Sequence, residues 1–176
     1  MGIQAKRLES DVWSRLMIQV LKNLVHHMKK HLFSATINTQ VIIDRPCDQV
    51  WQHFQSVSSH PHWNHFLHFD RFPTQVDEQI SVTLNHHQHT FKMTPQVTQF
   101  SEGLLAWKGK LFIHGLFNGY HQFKCQAINK NSTLFTQSEY FSGLLVPLFY
   151  RQVIQPTQAH FEQMNHAFKH YLESHH

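Results

Sequence analysis

A chain of 176 residues with 41% hydrophobic content has the size of one domain with a substantial core. Charged residues make up only 15%, and the net charge of +4 sits at one end: residues 1–34 hold six bases against two acids, and residues 35–176 hold nine of each. So neutral a body lacks the clustered Lys and Arg that phosphate neutralisation needs, which excludes nucleic acid as a partner.

Residues 9–32 form the clearest helical pattern. Val12, Trp13, Leu16, Met17, Val20, Leu21, Leu24 and Met28 recur at three-to-four spacing. Ser10 or Asp11 can cap its start. Arg15, Lys22, Asn23, His26 and Lys30 fall on the other face. A basic amphipathic helix of this kind can lie on an anionic membrane surface, or dock its stripe on the neighbouring domain or on a second copy. Residues 1–34 are therefore expected to be an appendage, and residues 35–176 the main domain.

Residues 35–43 read as a strand with Ile37, Val41 and Ile43 on one face. Asp44-Arg45-Pro46 breaks it, and Val50, Trp51, Phe54 and Val57 mark a short amphipathic helix. Pro61 ends that helix, because the residue before a proline avoids the helical region. His62 to Leu67 reads as a helical turn. From residue 68 to 141 the pattern changes to period two, as a meander of about six strands. Ile80, Val82 and Leu84 share one face, and Phe91 and Met93 another, with Asn85 to His89 as the hairpin loop between them. Ser101-Glu102-Gly103, Asn118-Gly119 and Asn129-Lys130-Asn131 read as further turns. Between them lie Leu105, Trp107, Gly109 and Leu111, then His121, Phe123 and Cys125, then Phe135, Gln137, Glu139 and Phe141. Residues 147–174 return to helix. Pro147 is tolerated in the first turn, and Pro156 predicts a kink or break. Beyond it Phe161, Met164, Phe168 and Leu172 form an apolar stripe.

Cys47 and Cys125 are the only cysteines, and no CxxC pair occurs, so two free thiols are expected. No run of 18 apolar residues suits a membrane span, and no signal-like apolar run follows the first basic residues. The expected location is the cytoplasm. His86, His87 and His89 lack a nearby acid or Cys, so no metal is expected there, nor any cofactor.

Two motifs are the most informative. In Leu105-Ala106-Trp107-Lys108-Gly109-Lys110-Leu111 and Glu139-Tyr140-Phe141-Ser142-Gly143-Leu144-Leu145, an aromatic and a glycine stand two residues apart. In a strand both face the same way, which suits a curved sheet walling a pocket. A twisted meander with one apolar face needs the long terminal helix to cover it.

The order of these pieces resembles the START-like (SRPBCC) superfamily, in its polyketide cyclase/dehydrase and lipid-transport branch. The resemblance runs from about Thr36 to Leu172. It rests on Pro46-Cys47-Asp48-Gln49-Val50-Trp51, on His62-Trp63-Asn64-His65-Phe66 (with His65 where the family usually has Pro), on Trp107-Lys108-Gly109 followed by Leu116 to Phe123, on Glu139 to Leu145, and on Phe161-Glu162-Gln163-Met164-Asn165. The resemblance implies an α+β helix-grip fold, a curved antiparallel sheet of about seven strands around a long C-terminal helix, with an apolar tunnel between them. Relatives bind lipids, sterols, hormones or polyketides, and some are enzymes.

The expected ligand contacts are Trp63, Asn64, Trp107, Phe123, Glu139, Phe141, Met164 and Phe168. Trp63 and Asn64 fall where the short helices would close the open end of the sheet, either gating the pocket or filling core. Glu139 has three roles open: ordering the sheet through an ion pair, orienting the polar end of a ligand, or acting as an acid. His121 is its natural partner by strand parity. The leading expectation is a carrier or sensor of an apolar small molecule. The alternatives are a cyclase- or dehydratase-type enzyme using Glu139 and His121, and an interaction module working through residues 9–32.

Overall fold

The computed structural model describes residues 32–86, 89–111 and 115–174, together with positions 19 and 22. The helix expected over residues 9–32 lies outside the described residues. So do His87 and the side chains of His86 and His89.

Strand β1 (Ser34–Ile43) buries Ile37, Thr39, Val41 and Ile43 and exposes the residues between them. Pro46 then precedes helix α1 (Cys47–Gln55), which turns Val50, Trp51 and Phe54 inward. A 3-10 turn (Val57–His62) carries Pro61 and leads into β2 (Leu67–Phe69). The helical turn therefore precedes the residues 62–67 where the sequence suggests it, and Pro61 lies inside it and does not end α1, which already stops at Gln55. Leu67 and Phe69 are claimed by pairing with Leu84 and Val82 of β3 (Val82–His86). Strand β4 (His89–Met93) continues that pairing through Asn85–Thr90 and His86–His89, so the expected five-residue loop is mostly ladder.

The main sheet holds β5 (Gln96–Ser101), β6 (Leu104–Leu111), β7 (Phe117–Asn129) and β8 (Ser132–Ser142), with β1 at its far edge. Its order is β1-β8-β7-β6-β5, antiparallel throughout, and the separate three-stranded sheet runs β2-β3-β4. Ile80 and Val97 backbone N–H groups donate to Pro95 and Glu78 carbonyls at 3.1 and 2.8 Å, which ties the two sheets together. Strand β5 was hidden from period-two reading by a bulge between Val97 and Gln99, which shifts the alternation.

Asn118-Gly119 is not a turn. Both residues lie inside β7, in register with Ser142 and Phe141. Gly143 lies beyond β8 at φ +134, where a Cβ would overlap the Leu116 carbonyl. It is thus a corner residue, not the pocket-facing partner of Phe141. Gly109 does share the inner face with Trp107, but its open side is in ordinary contact with Met93 and Pro95, 3.8 Å away.

After β8 the chain forms helix α2 (Val146–Phe149), a π-helical turn (Tyr150–Ile154) and helix α3 (Gln155–Ser174). The break expected at Pro156 takes the form of this π turn just upstream. Proline offers no N–H to continue the regular ladder, and the Gln155 N–H reaches back to the Tyr150 carbonyl instead. Helix α3 lies on the inner face of the sheet, burying Phe161, Met164, Asn165, Phe168 and Leu172. Asn165 Nδ2 donates to Thr39 Oγ1 at 3.0 Å and Lys169 Nζ to the Ile42 carbonyl at 2.8 Å, fixing the helix along β1.

Candidate functional site

Three neighbouring strands place Trp107, His121 and Glu139 in one transverse row. Trp107 is the register partner of His121, and His121 that of Glu139. All three point to the inner face, as alternation within β6, β7 and β8 requires. Glu139 Oε2 lies 2.6 Å from His121 Nδ1. On the other side of the ring, Gln137 Nε2 lies 3.3 Å from His121 Nε2. An amide nitrogen can only donate, so Nε2 accepts and the ring proton sits on Nδ1, directed at the carboxylate.

This polar row is enclosed by rings. Trp107 stacks on the imidazole at 4.7 Å, and Phe123 and Phe161 approach it at 4.4 and 4.9 Å. His121 is 3% exposed and Gln137 is fully buried. Gln137 Nε2 also reaches Met164 Sδ at 3.7 Å, while Gln137 Oε1 has no hydrogen-bond partner among the described residues. Asn165 Oδ1 and Asn64 Nδ2 are buried and unpartnered in the same sense. Buried polar atoms are nearly always paired, and His60 Nδ1 is a further exception of this kind.

The expected ligand contacts fall into separate groups. Trp107, Phe123, Glu139 and, through Gln137, Met164 converge on His121. Trp63 and Phe168 pack on each other at 4.2 Å, and Phe54 joins Phe123, Phe135 and Phe168 in the same aromatic cluster. Phe141 lies towards the α2 end against Phe117, at 5.3 Å. Asn64 turns its Oδ1 to the Leu67 N–H at 2.9 Å and fixes the start of β2. Large rings thus occupy much of the space where the resemblance implies a tunnel.

Trp63, Phe66, Asn85, His160, Met164 and Ala167 line a depression of about 370 Å³ between α3 and the tip of the β3–β4 hairpin. Phe66 and His160 form a near-parallel stack on its wall, at 4.7 Å. Met164 both lines this depression and meets Gln137 Nε2 through its Sδ. Its unbranched thioether side chain has three rotatable bonds.

Gln137, Asn165, Phe66 and His160 were not singled out from sequence. Gln137 had a readable signal, a polar residue on the inward face of β8. Asn165 follows Met164 by one residue, which takes it off the centre of the apolar stripe. Cys47 and Cys125 are free thiols, both pushed up by burial, so neither is a ready nucleophile. Among the described residues no three His, Cys, Asp or Glu side chains gather as a metal site. No helix of the described residues is long and apolar enough to cross a membrane.

No family model matches this chain and no curated protein resembles it in sequence. Solved structures do resemble it. One is the Zhui aromatase/cyclase from Streptomyces sp. R1128, with 10% identity and a TM-score of 0.61 over 80% of this chain and 94% of that one. Another is the di-domain ARO/CYC StfQ from the steffimycin biosynthetic pathway, at 9% identity and 0.65 over 92% of this chain and 60% of that one. A third is norcoclaurine synthase from Thalictrum flavum in complex with dopamine and hydroxybenzaldehyde, at 13% and 0.57 over 81% and 88%. The fold is START-like. Identities this low establish the helix-grip architecture and leave the activity to the site.

Proposed function

We propose that this chain binds an apolar or amphipathic small molecule, of lipid, polyketide or aromatic type, between its sheet and C-terminal helix, as a carrier or sensor. The observation that supports it is the Glu139–His121–Gln137 chain, buried among rings, ending in the unpartnered Gln137 Oε1 behind Met164. The depression outside Met164 is of the size that small ligands occupy, roughly 300–1,000 Å³. A guest entering there turns Met164 aside, stacks against Trp63 and Phe66, and offers a donor to Gln137 Oε1. Affinity comes mainly from apolar area, at about 25 cal/mol per Å². A hydroxyl or amide on the guest would be selected because Gln137 otherwise stays unsatisfied. The fold relatives named as aromatase/cyclases, and the complex with dopamine and hydroxybenzaldehyde, put aromatic compounds first among candidates.

The test is a thermal-shift screen of lipids, polyketides and aromatic alcohols against wild type, Gln137→Leu and Met164→Trp. Stabilisation by a hydroxylated compound that both variants lose supports the reading. No stabilisation by any compound removes it.

A second reading draws support from the 2.6 Å contact between Glu139 and His121. A carboxylate that orients an imidazole is the arrangement a general base needs. Here Nε2 is covered by the Gln137 amide, so base catalysis requires Gln137 to swing away when substrate binds. A cyclase- or dehydratase-type turnover that survives both Glu139→Gln and His121→Ala would eliminate this reading.

A further inference from the structure

We infer that Glu139 is a positioning residue for ligand selection. Acting through His121, it fixes the Gln137 amide so that the interior presents acceptors and takes a guest whose buried end carries O–H or N–H. The selectivity rests on the small-molecule reading above; the direction of the hydrogen bonds does not.

That direction is set at one end. A carboxylate only accepts, so Glu139 Oε2, 2.6 Å from His121 Nδ1, holds the ring proton there. The other nitrogen of a neutral imidazole is bare. The atom that Gln137 brings to Nε2, at 3.3 Å, is therefore its amide nitrogen. Turning the amide over would set its oxygen against a bare Nε2, two acceptors without a proton between them. Gln137 Oε1 is left facing away, with no partner among the described residues.

A second chain runs the same way from a different origin. The Thr39 hydroxyl donates to the Gln137 main-chain carbonyl at 3.2 Å. Its one proton is then spent, so it accepts from Asn165, whose Nδ2 lies 3.0 Å away. This leaves Asn165 Oδ1 unpartnered among the described residues as well. Thr39 is the register partner of Gln137, and Asn165 follows Met164, whose Sδ meets Gln137 Nε2 at 3.7 Å. Both open oxygens thus belong to the layer between β1, β8 and α3. In these two chains every donor atom has a partner, and two buried acceptor oxygens have none.

Ketones, ethers and carboxylates bring only lone pairs to such oxygens, whereas a hydroxyl, amine or amide brings the missing proton. An acceptor-only guest also gives up its own hydrogen bonds to water without replacement, so discrimination against it is strong. Glu139→Gln removes the asymmetry. A glutamine amide can either accept from Nδ1 or donate to it, so both ring tautomers and both Gln137 orientations become available.

Two measurements on the full chain test this. Nitrogen chemical shifts of the His121 ring, taken without ligand, report which nitrogen holds the proton. The expected result is Nδ1 in wild type and a mixture in Glu139→Gln. Calorimetric titration then uses alcohol–ketone pairs of one skeleton, indanol with indanone and fluorenol with fluorenone, which differ in the donor and hardly in shape. Wild type should bind the alcohol roughly tenfold or more tightly than its ketone, and Glu139→Gln should bring that ratio close to one. A purely structural role for Glu139 would weaken both partners of a pair together and keep the ratio. The inference is overturned by an Nε2 proton in ligand-free wild type, by a ketone bound as tightly as its alcohol, or by an alcohol preference that Glu139→Gln leaves unchanged. Binding of no member of either pair, with the ring proton as expected in both proteins, counts against the small-molecule reading and upholds the positioning role of Glu139.

Discussion

The carboxylate of Glu139 occupies the space that Gly119 leaves empty on the adjacent strand. A Cβ built on Gly119 would overlap Glu139 Oε1, so the glycine is what lets the carboxylate lie flat on the sheet and reach His121. Glycine inside a strand costs stability by itself, and it persists here beside a group that needs the room. Gly119→Ala is expected to push the carboxylate off His121 and to destabilise the fold by about 1 kcal/mol, the cost of the lost contact, because the displaced atom is the end of a flexible side chain. Urea denaturation gives the energy, and the nitrogen chemical shifts of the His121 ring report loss of the contact.

Shape and charge at Glu139 can be separated. Glu139→Gln keeps an acceptor for the His121 Nδ1 proton and should cost under about 1 kcal/mol. Glu139→Leu leaves that N–H buried without a partner and should cost about 1–3 kcal/mol. Equal urea midpoints for the two variants would show that the contact orders nothing.

His60 makes stability depend on pH. Its ring is 1% exposed, with Nε2 donating to the Phe54 carbonyl at 2.7 Å and Nδ1 unpartnered among the described residues. Burial pushes the imidazole below its ordinary value of 6.5, and the Phe54 carbonyl opposes this only in part. The folded state therefore takes up its proton at lower pH than the unfolded state. Between the two values the unfolded chain holds more protons, so stability falls as pH drops below about 6.5 and stops falling once the folded ring titrates. The difference between urea midpoints at about pH 7.5 and about pH 5.5 should shrink in His60→Gln. An unchanged difference would assign the pH effect to other groups.

Phe168 tests the aromatic interior. It is fully buried between Trp63, Phe54 and Phe135, with ring centroids at 4.2, 6.1 and 5.2 Å. Phe168→Ala should cost about 3–5 kcal/mol, measured by urea denaturation. A cost under about 1 kcal/mol would mean that this region is loosely packed and already open to a guest.

Most of the architecture could be read from periodicity. Ile37, Val41 and Ile43 marked β1, the alternation through His121, Phe123 and Cys125 marked the inner face of β7, and Phe161, Met164, Phe168 and Leu172 marked the buried stripe of α3. The misses have physical causes. Asn-Gly is a strong hairpin signal locally, but at Asn118-Gly119 the need of Glu139 for space overrides it. The bulge at Val97/Gln99 breaks the alternation that would have revealed β5. Facing can be read from sequence, but depth cannot. Alternation aimed Phe123 and Glu139 at the same interior without showing that Phe54, Phe135 and Phe168 fill so much of it. The orphaned Gln137 Oε1 depends on the placement of Met164 against β8, which only the packed helix supplies.

Native mass spectrometry of the full chain purified from cells, set beside Met164→Trp, addresses the small-molecule reading most directly. The expected spectrum shows a non-covalent adduct of small-molecule mass on the wild type, released by collisional activation and missing from Met164→Trp, whose indole fills the depression. Bare protein in both samples, with no adduct after incubation with lipids, polyketides or aromatic alcohols, would contradict the proposal that this interior holds a guest.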